Sequence, residues 1–197
     1  MAFSVFKIIG LIIIFPMMAF SQSSGGSKRF LFEINSLFGY GSAKTSSDAA
    51  APVIGAFNLG VALGINIKKI TLGLSYDYRV LTQYSEVDVT VGNRRGTFIS
   101  PTSLLLRINF EKIKFGFLLI SNGTYDLTNI TANGKKLIYT NPSGFRFDLI
   151  FKKFAKLTPL IFYESVSFSG MQLDGVPSAP SSNLNYSSFG AGIKYDF

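Results

Sequence analysis

The sequence predicts an all-β chain, an eight-stranded antiparallel up-and-down transmembrane β-barrel after a cleaved signal peptide. Three observations predict it. Segments of ten or more residues alternate apolar and polar side chains, the connections between them alternate short and long, and the last twelve residues have two unlike sides. In that last stretch, YSSFGAGIKYDF, Phe189, Ala191, Ile193, Tyr195 and Phe197 share one parity and Ser188, Gly190, Gly192, Lys194 and Asp196 the other. Successive side chains of a strand point to opposite faces, so one face is aromatic and the other small or charged. A strand with an aromatic face and a glycine-rich polar face fits a barrel wall between lipid and a polar lumen.

The chain of 197 residues is the size of one domain, and it is 47% apolar and 15% aromatic with a mean hydropathy of +0.32. After the amino terminus no run reaches the ~20 apolar residues a membrane helix needs. The surplus is therefore spread over alternating strands. At the amino terminus, Lys7, the run Ile8–Phe20 broken by Pro16, and small residues at Ala19 and Ser21 predict a signal peptide over residues 1–21, cut before Gln22. Residues 22–27 (QSSGGS) read as a flexible lead-in and residues 28–197 as the barrel domain. No Cys follows the hydrophobic run, which excludes a lipid-anchored lipoprotein.

The eight segments are Arg29–Tyr40, Val53–Ile67, Ile70–Tyr84, Phe98–Phe110, Ile113–Tyr125, Ser143–Lys152, Leu157–Phe168 and Tyr186–Phe197. The second, third and sixth alternate best; Leu72, Leu74, Tyr76, Tyr78 and Val80 oppose Thr71, Gly73, Ser75, Asp77 and Arg79. Asn66–Lys69, Glu111–Lys112 and Lys153–Lys156 read as tight turns, whereas 41–52, 85–97, 127–142 and 169–185 are long polar loops. Short periplasmic turns and long extracellular loops are the habit of outer-membrane barrels, and an even strand number puts both termini on the periplasmic side. Glu86–Val91 and the Asn133-Gly134 turn between Asn129–Thr131 and Leu137–Thr140 predict raised hairpins, while the fourth loop, rich in Ser and Pro, reads as irregular. A soluble eight-stranded barrel is the structural rival, but it needs an outer face that water solvates. Here the apolar parity carries most of the Phe, Leu, Ile and Tyr.

A net charge of +8 and a pI near 9.7 invite a nucleic-acid reading until the charges are sorted by place. Arg79, Arg107, Lys114, Arg146, Lys152 and Lys194 face inward with Glu33, Asp77, Asp148, Glu164 and Asp196, six against five. The loops balance, and most of the surplus lies at the periplasmic rim, where Lys28, Arg29, Lys68, Lys69, Lys112, Lys153 and Lys156 meet Glu111. Such a rim can be drawn to anionic headgroups or simply solubilise the turns, and it argues against nucleic acid as a partner. Charges of both signs in a narrow lumen are tolerable only when paired. The network expected is Glu33, Asp77, Arg79, Arg107, Arg146, Asp148, Glu164 and Lys194, centred on an Arg146–Glu164 pair because the two come to similar depth above the short turn between their strands.

In its alternation, polar lumen and carboxy-terminal Gly192, Tyr195 and Phe197, the chain resembles the small eight-stranded outer-membrane barrels of the OmpX group and the transmembrane domain of OmpA. The resemblance covers Lys28–Phe197 and implies an outer-membrane location, contact with outer-membrane lipids, and Gly192, Tyr195 and Phe197 as a signature read by the barrel-assembly machinery. It implies no catalytic residue, and, unlike in full-length OmpA, no peptidoglycan-binding domain is expected after the barrel.

Chemistry is bounded by what is missing. With no His and no Cys, the chain cannot build Ser-His hydrolytic sites, thiol nucleophiles or the usual zinc sites. The outer-membrane enzymes that trim or acylate lipopolysaccharide resemble this architecture but depend on a histidine. A Ser-Lys dyad or paired carboxylates stay formally open; Glu86 and Asp88 are the nearest such pair, and a solvated face explains them better. No cofactor is expected. The reading is a non-enzymatic barrel whose four loops form a surface platform for structural or recognition work, in adhesion or envelope integrity. A narrow porin-like channel is the alternative, and a lipid-modifying enzyme the weaker one.

Overall fold

The computed structural model describes residues 30–46, 53–83, 95–130, 136–154, 156–178 and 183–197. Its strands are β1 (Phe30–Lys44), β2 (Val53–Ile67), β3 (Ile70–Gln83), β4 (Gly96–Asn109), β5 (Lys114–Ile120), β6 (Thr124–Ile130), β7 (Lys136–Ile150), β8 (Leu157–Leu173), β9 (Val176–Ser178) and β10 (Leu184–Asp196). β5 and β6 are two halves of one stave, because both pair with β4 on one side and β7 on the other. Each remaining stave pairs antiparallel with its neighbours, and β1 pairs with β10 to close an eight-stave barrel. Closure leaves no sheet edge within the wall, so the wall's backbone groups are satisfied by the ladder itself.

The register sets the tilt. Starting at Glu33 and stepping across the ladders through Ala62, Ser75, Ser103, Ile120, Gly144, Val166 and Tyr186, the path returns to β1 at Ala43, ten residues further along. Staggered closure of this kind tilts the staves by about 35–45° and leaves an interior of side-chain width.

Alternation sorts the side chains as expected. On β3, Leu72, Leu74, Tyr76 and Tyr78 are exposed while Thr71, Ser75, Asp77, Arg79 and Leu81 are buried. The outward apolar band stops at one level around the barrel. Tyr40 gives way to Ser42, Val80 to Thr82, Phe145 to Ser143, Tyr163 to Ser165 and Phe189 to Ser187. Pro101 and Thr102, where parity switches on β4, lie on the same side as the break at Ser121–Gly123, which Thr102 clasps by donating its N–H to Asn122 Oδ1 at 3.3 Å.

Several boundaries differ from expectation. β1 runs on to Lys44, and β7 begins at Lys136, so the arm expected as a raised hairpin is the upper part of the stave itself. The fifth stave, expected as continuous, is interrupted at 121–123. The fourth loop, expected to be irregular, carries the β8–β9 hairpin, turned at Asp174 (φ 51) and Gly175 (φ 79). Two central residues at positive φ make the turn that an Asp-Gly pair favours. The signal peptide, the lead-in, Lys28, Arg29, the Glu86–Val91 extension with its two carboxylates, and the Asn133-Gly134 turn lie outside the described residues.

Candidate functional site: the barrel lumen

The lumen is layered, and its polarity reverses along the axis. From the short-turn end to the middle, inward positions of six staves carry charge. Above them, towards the long loops, the same parity becomes apolar: Ile54, Leu81, Phe98, Tyr125, Phe168 and Tyr186 are all at most 2% exposed and pack in one cluster. Two smaller apolar clusters, Leu37 with Ile150, Leu160 and Phe162, and Ala62 with Leu105 and Leu118, sit among the charges, Leu37 on the loop side of Glu33 in β1 and Leu105 on the loop side of Arg107 in β4. Where its outer face is apolar the barrel is therefore charged inside. Towards the long loops it is polar outside and apolar inside, the ordinary pattern of a water-bathed sheet.

The charged layer is a chain of ion pairs. Arg107 Nη2 donates to both Glu33 oxygens at 3.0 Å. Lys194 Nζ lies 3.1 Å from Glu33 Oε1 and donates to Asp148 Oδ2 at 3.0 Å. Arg146 then bridges two carboxylates, donating from Nε to Asp148 at 3.0 Å and from Nη1 to Asp77 at 2.8 Å. Asp77 accepts two more bonds, from Asn58 at 2.9 Å and Ser75 at 2.8 Å. Beside this chain, Arg79 Nη2 donates to Glu164 Oε2 at 2.8 Å, with Nε 2.8 Å from Oε1 but off the hydrogen-bond line. The guanidinium of Arg79 also sits 4.6 Å above the Phe98 ring, so the apolar layer caps the charged one. All eight network residues are at most 2% exposed, four bases with four acids. Burial at that depth is tolerable because every charge has an opposite partner.

The structure puts all eight residues in the lumen, with one pairing other than the expected one. Arg146 and Glu164 are ladder neighbours, as the count of residues implied, yet Glu164 is held by Arg79 and Arg146 reaches Asp77. Lys152, expected in the lumen, is exposed beyond the end of β7, because that strand stops at Ile150. Lys114 is half-buried at the start of β5. Gly60 was not singled out, although a Cβ there would lie 2.5 Å from Asn35 Nδ2 and 2.7 Å from Asp77 Oδ1. Its missing side chain makes room for the network. The aromatic upper layer also went unread, because inward Phe and Leu break the rule that the lumenal parity is polar. At the carboxy terminus the Phe197 ring packs between Phe32 (4.8 Å, tilted) and Tyr195 (4.6 Å, edge to face). Gly192 is inward, and a Cβ there would lie 2.6 Å from Leu37 Cδ2.

Fold and lumen together define a small eight-stranded barrel of the outer-membrane type with a filled interior. The chain is similar in fold to the crystal structure of Neisserial surface protein A (NspA), with a TM-score of 0.50 and 12% identity over 88% of this chain and 100% of that one. The crystal structure of the outer-membrane protease OmpT from Escherichia coli superposes at a TM-score of 0.44, with 10% identity over 90% of this chain and 100% of that one, a likeness too loose to bear on this chain. No protein-family model and no curated protein sequence matches the chain.

Proposed function

We propose that the chain is a non-enzymatic outer-membrane barrel with a closed lumen, whose extracellular end is a rigid surface platform for structural or recognition work. The observation that carries this reading is the reversal of polarity along the axis. The apolar upper layer closes the charged interior towards the long loops, leaving no polar path through that end, and gives the loop end of the barrel its own core. A barrel that only had to pass solute would gain nothing from filling its mouth with Phe98, Phe168 and Tyr186. The absence of His and Cys from the sequence removes the commoner hydrolytic and thiol chemistries. Delivery by residues 1–21, assembly through the Gly192, Tyr195 and Phe197 signature, and a ligand met by the four loops belong to the same reading.

A narrow channel is the second reading, favoured by one observation. Asn35 Nδ2 and Oδ1, Asn58 Oδ1, Arg107 Nε and Thr158 Oγ1 are buried without a protein hydrogen-bond partner, and such groups are normally satisfied by internal water. Conductance in planar bilayers separates the two. The platform reading expects a silent barrel, and steady single-channel steps would replace it with the channel. An epitope placed in loop 85–97 should be reached by antibody on intact cells; reach only after permeabilisation would invert the orientation.

A further inference from the structure

The end of the barrel that carries the short turns is unevenly charged. Lys68, Lys69, Lys112, Lys152, Lys153 and Lys156 are all exposed there, with Glu111 as the opposing carboxylate among these turns. Strand geometry explains the crowding, since the three turns bring their lysines to one rim. The opposite end differs, for Lys136 is neutralised by Asp126 at 2.6 Å. The lysines alternate with apolar side chains that point outward, Phe110 (51% exposed), Phe154 (82%) and Phe197 (45%). Lys156 Nζ lies 5.9 Å over the ring of Tyr195, so its ammonium rides at the depth of the aromatic girdle.

Between two of these turns lies an open cleft of about 620 Å³, lined by Lys69, Asn109, Phe110, Glu111, Lys112 and Ile113. Its walls are fixed by backbone and side-chain bonds. Asn109 donates its N–H to Lys69 O at 2.7 Å and its Nδ2 to Thr71 Oγ1 at 3.0 Å, and Phe110 donates to Ile113 O at 3.0 Å. A cleft lined by two lysines, the apolar Phe110 and Ile113, and a single carboxylate, Glu111, keeps a net positive charge beside apolar side chains and so matches a phosphodiester carried on a glycerol and acyl chain. We propose that this rim is a docking surface for the headgroups of anionic glycerophospholipids in the periplasmic leaflet, with the cleft between Lys69 and Lys112 as its central phosphate site. The proposal rests on the barrel spanning a membrane with this rim at one headgroup layer. A polybasic rim at that depth gains about 1 kcal/mol per lysine from an anionic surface, and the gain shrinks with salt.

The test is lipid selectivity of the folded barrel in phosphatidylcholine vesicles, read by electron spin resonance with spin-labelled phosphatidylglycerol against spin-labelled phosphatidylcholine. Gel migration with and without boiling first confirms insertion; failure to insert overturns the barrel reading and this proposal together. Once inserted, the wild type should prefer phosphatidylglycerol at low salt and lose the preference at high salt. Lys69→Gln with Lys112→Gln should cut the preference by about thirtyfold, the effect of about 1 kcal/mol at each of two lysines, while Lys44→Gln at the other end should leave it unchanged. A wild type without preference, or a preference that survives the double substitution, overturns the phospholipid site and leaves the barrel reading standing. A preference lost equally with Lys44→Gln would show general charge and overturn it too.

Discussion

Arg146 and Glu164 face each other across the β7–β8 ladder, yet each is paired with a residue of β3, Arg146 with Asp77 and Glu164 with Arg79, both at 2.8 Å. Two charges on neighbouring staves are thus tied to one stave elsewhere in the wall. The lumen is cross-braced through its interior and not only around its wall. Such bracing resists the ovalisation that a thin closed sheet would otherwise allow, because any change of cross-section must separate buried charges.

The pairing predicts which double-mutant cycle shows coupling. Glu164→Gln and Arg79→Met should each cost about 3–5 kcal/mol, because each leaves a buried charge without its partner. Together they should cost well under the sum. The cycle of Arg146 with Glu164 should be close to additive by comparison. Urea unfolding in lipid vesicles gives all the values, and strong coupling in the second cycle with none in the first would show that Arg146, not Arg79, holds Glu164.

Steric room gives the second prediction. Gly60→Ala should destabilise the barrel by about 1–3 kcal/mol, since the new methyl meets the Asn35 amide and the Asp77 carboxylate. Gly39→Ala meets the far end of the Phe162 ring at 2.8 Å, so that side chain can give way and the cost should be smaller. Pairing Gly39→Ala with Phe162→Leu should recover most of it. Equal unfolding midpoints for the two glycine variants would mean that the network tolerates displacement as readily as an apolar contact does.

These pairs also show what could be read without a structure. Parity alone placed Arg79, Asp77, Arg146 and Asp148 inside, because charged residues on a lipid face are costly and the alternation of their strands is clean. Leu160 and Phe162 share the parity of Glu164, and all three are in fact inward. Partner choice was not legible, since it depends on stagger summed over the whole circuit and on the reach of long side chains across the lumen. Nor was the upper layer, where the outer face turns from apolar to polar and the meaning of an apolar parity changes with it. The Asp174-Gly175 turn carries the favoured dipeptide, but Pro177 and the serines around it read as loop.

The carboxy-terminal residue gives a third prediction. Phe197 closes the aromatic ladder with Tyr195 and Phe32 and donates its backbone N–H to Phe32 O at 3.2 Å. It therefore fastens the last stave to the first at the barrel seam. Deleting it should lower the yield of heat-modifiable barrel while export from the cytoplasm continues. Unchanged yield would leave it a packing residue of the girdle.

The apolar upper layer gives the last. Phe98 is fully buried, touches the Phe168 ring at 5.0 Å edge to face, and lies under the Arg79 guanidinium at 4.6 Å. It therefore belongs to the water-exposed core and also shields the uppermost ion pair. Truncation to Ala should cost about 3–5 kcal/mol from lost burial and the cavity left behind. It should do something more, because water that enters the cavity reaches Arg79 and Glu164. The Arg79–Glu164 coupling should fall in the Phe98→Ala background, as the pair passes from a dry setting towards one that screens it. Leu81→Ala supplies the control. It opens a cavity in the same cluster without removing the ring stacked on Arg79, and it should lower stability while leaving more of the coupling intact. Measuring the cycle in the three backgrounds separates packing from shielding. Should both truncations weaken the coupling alike, any hole in the upper layer admits water, and the ring of Phe98 has no special part in keeping the charge layer dry.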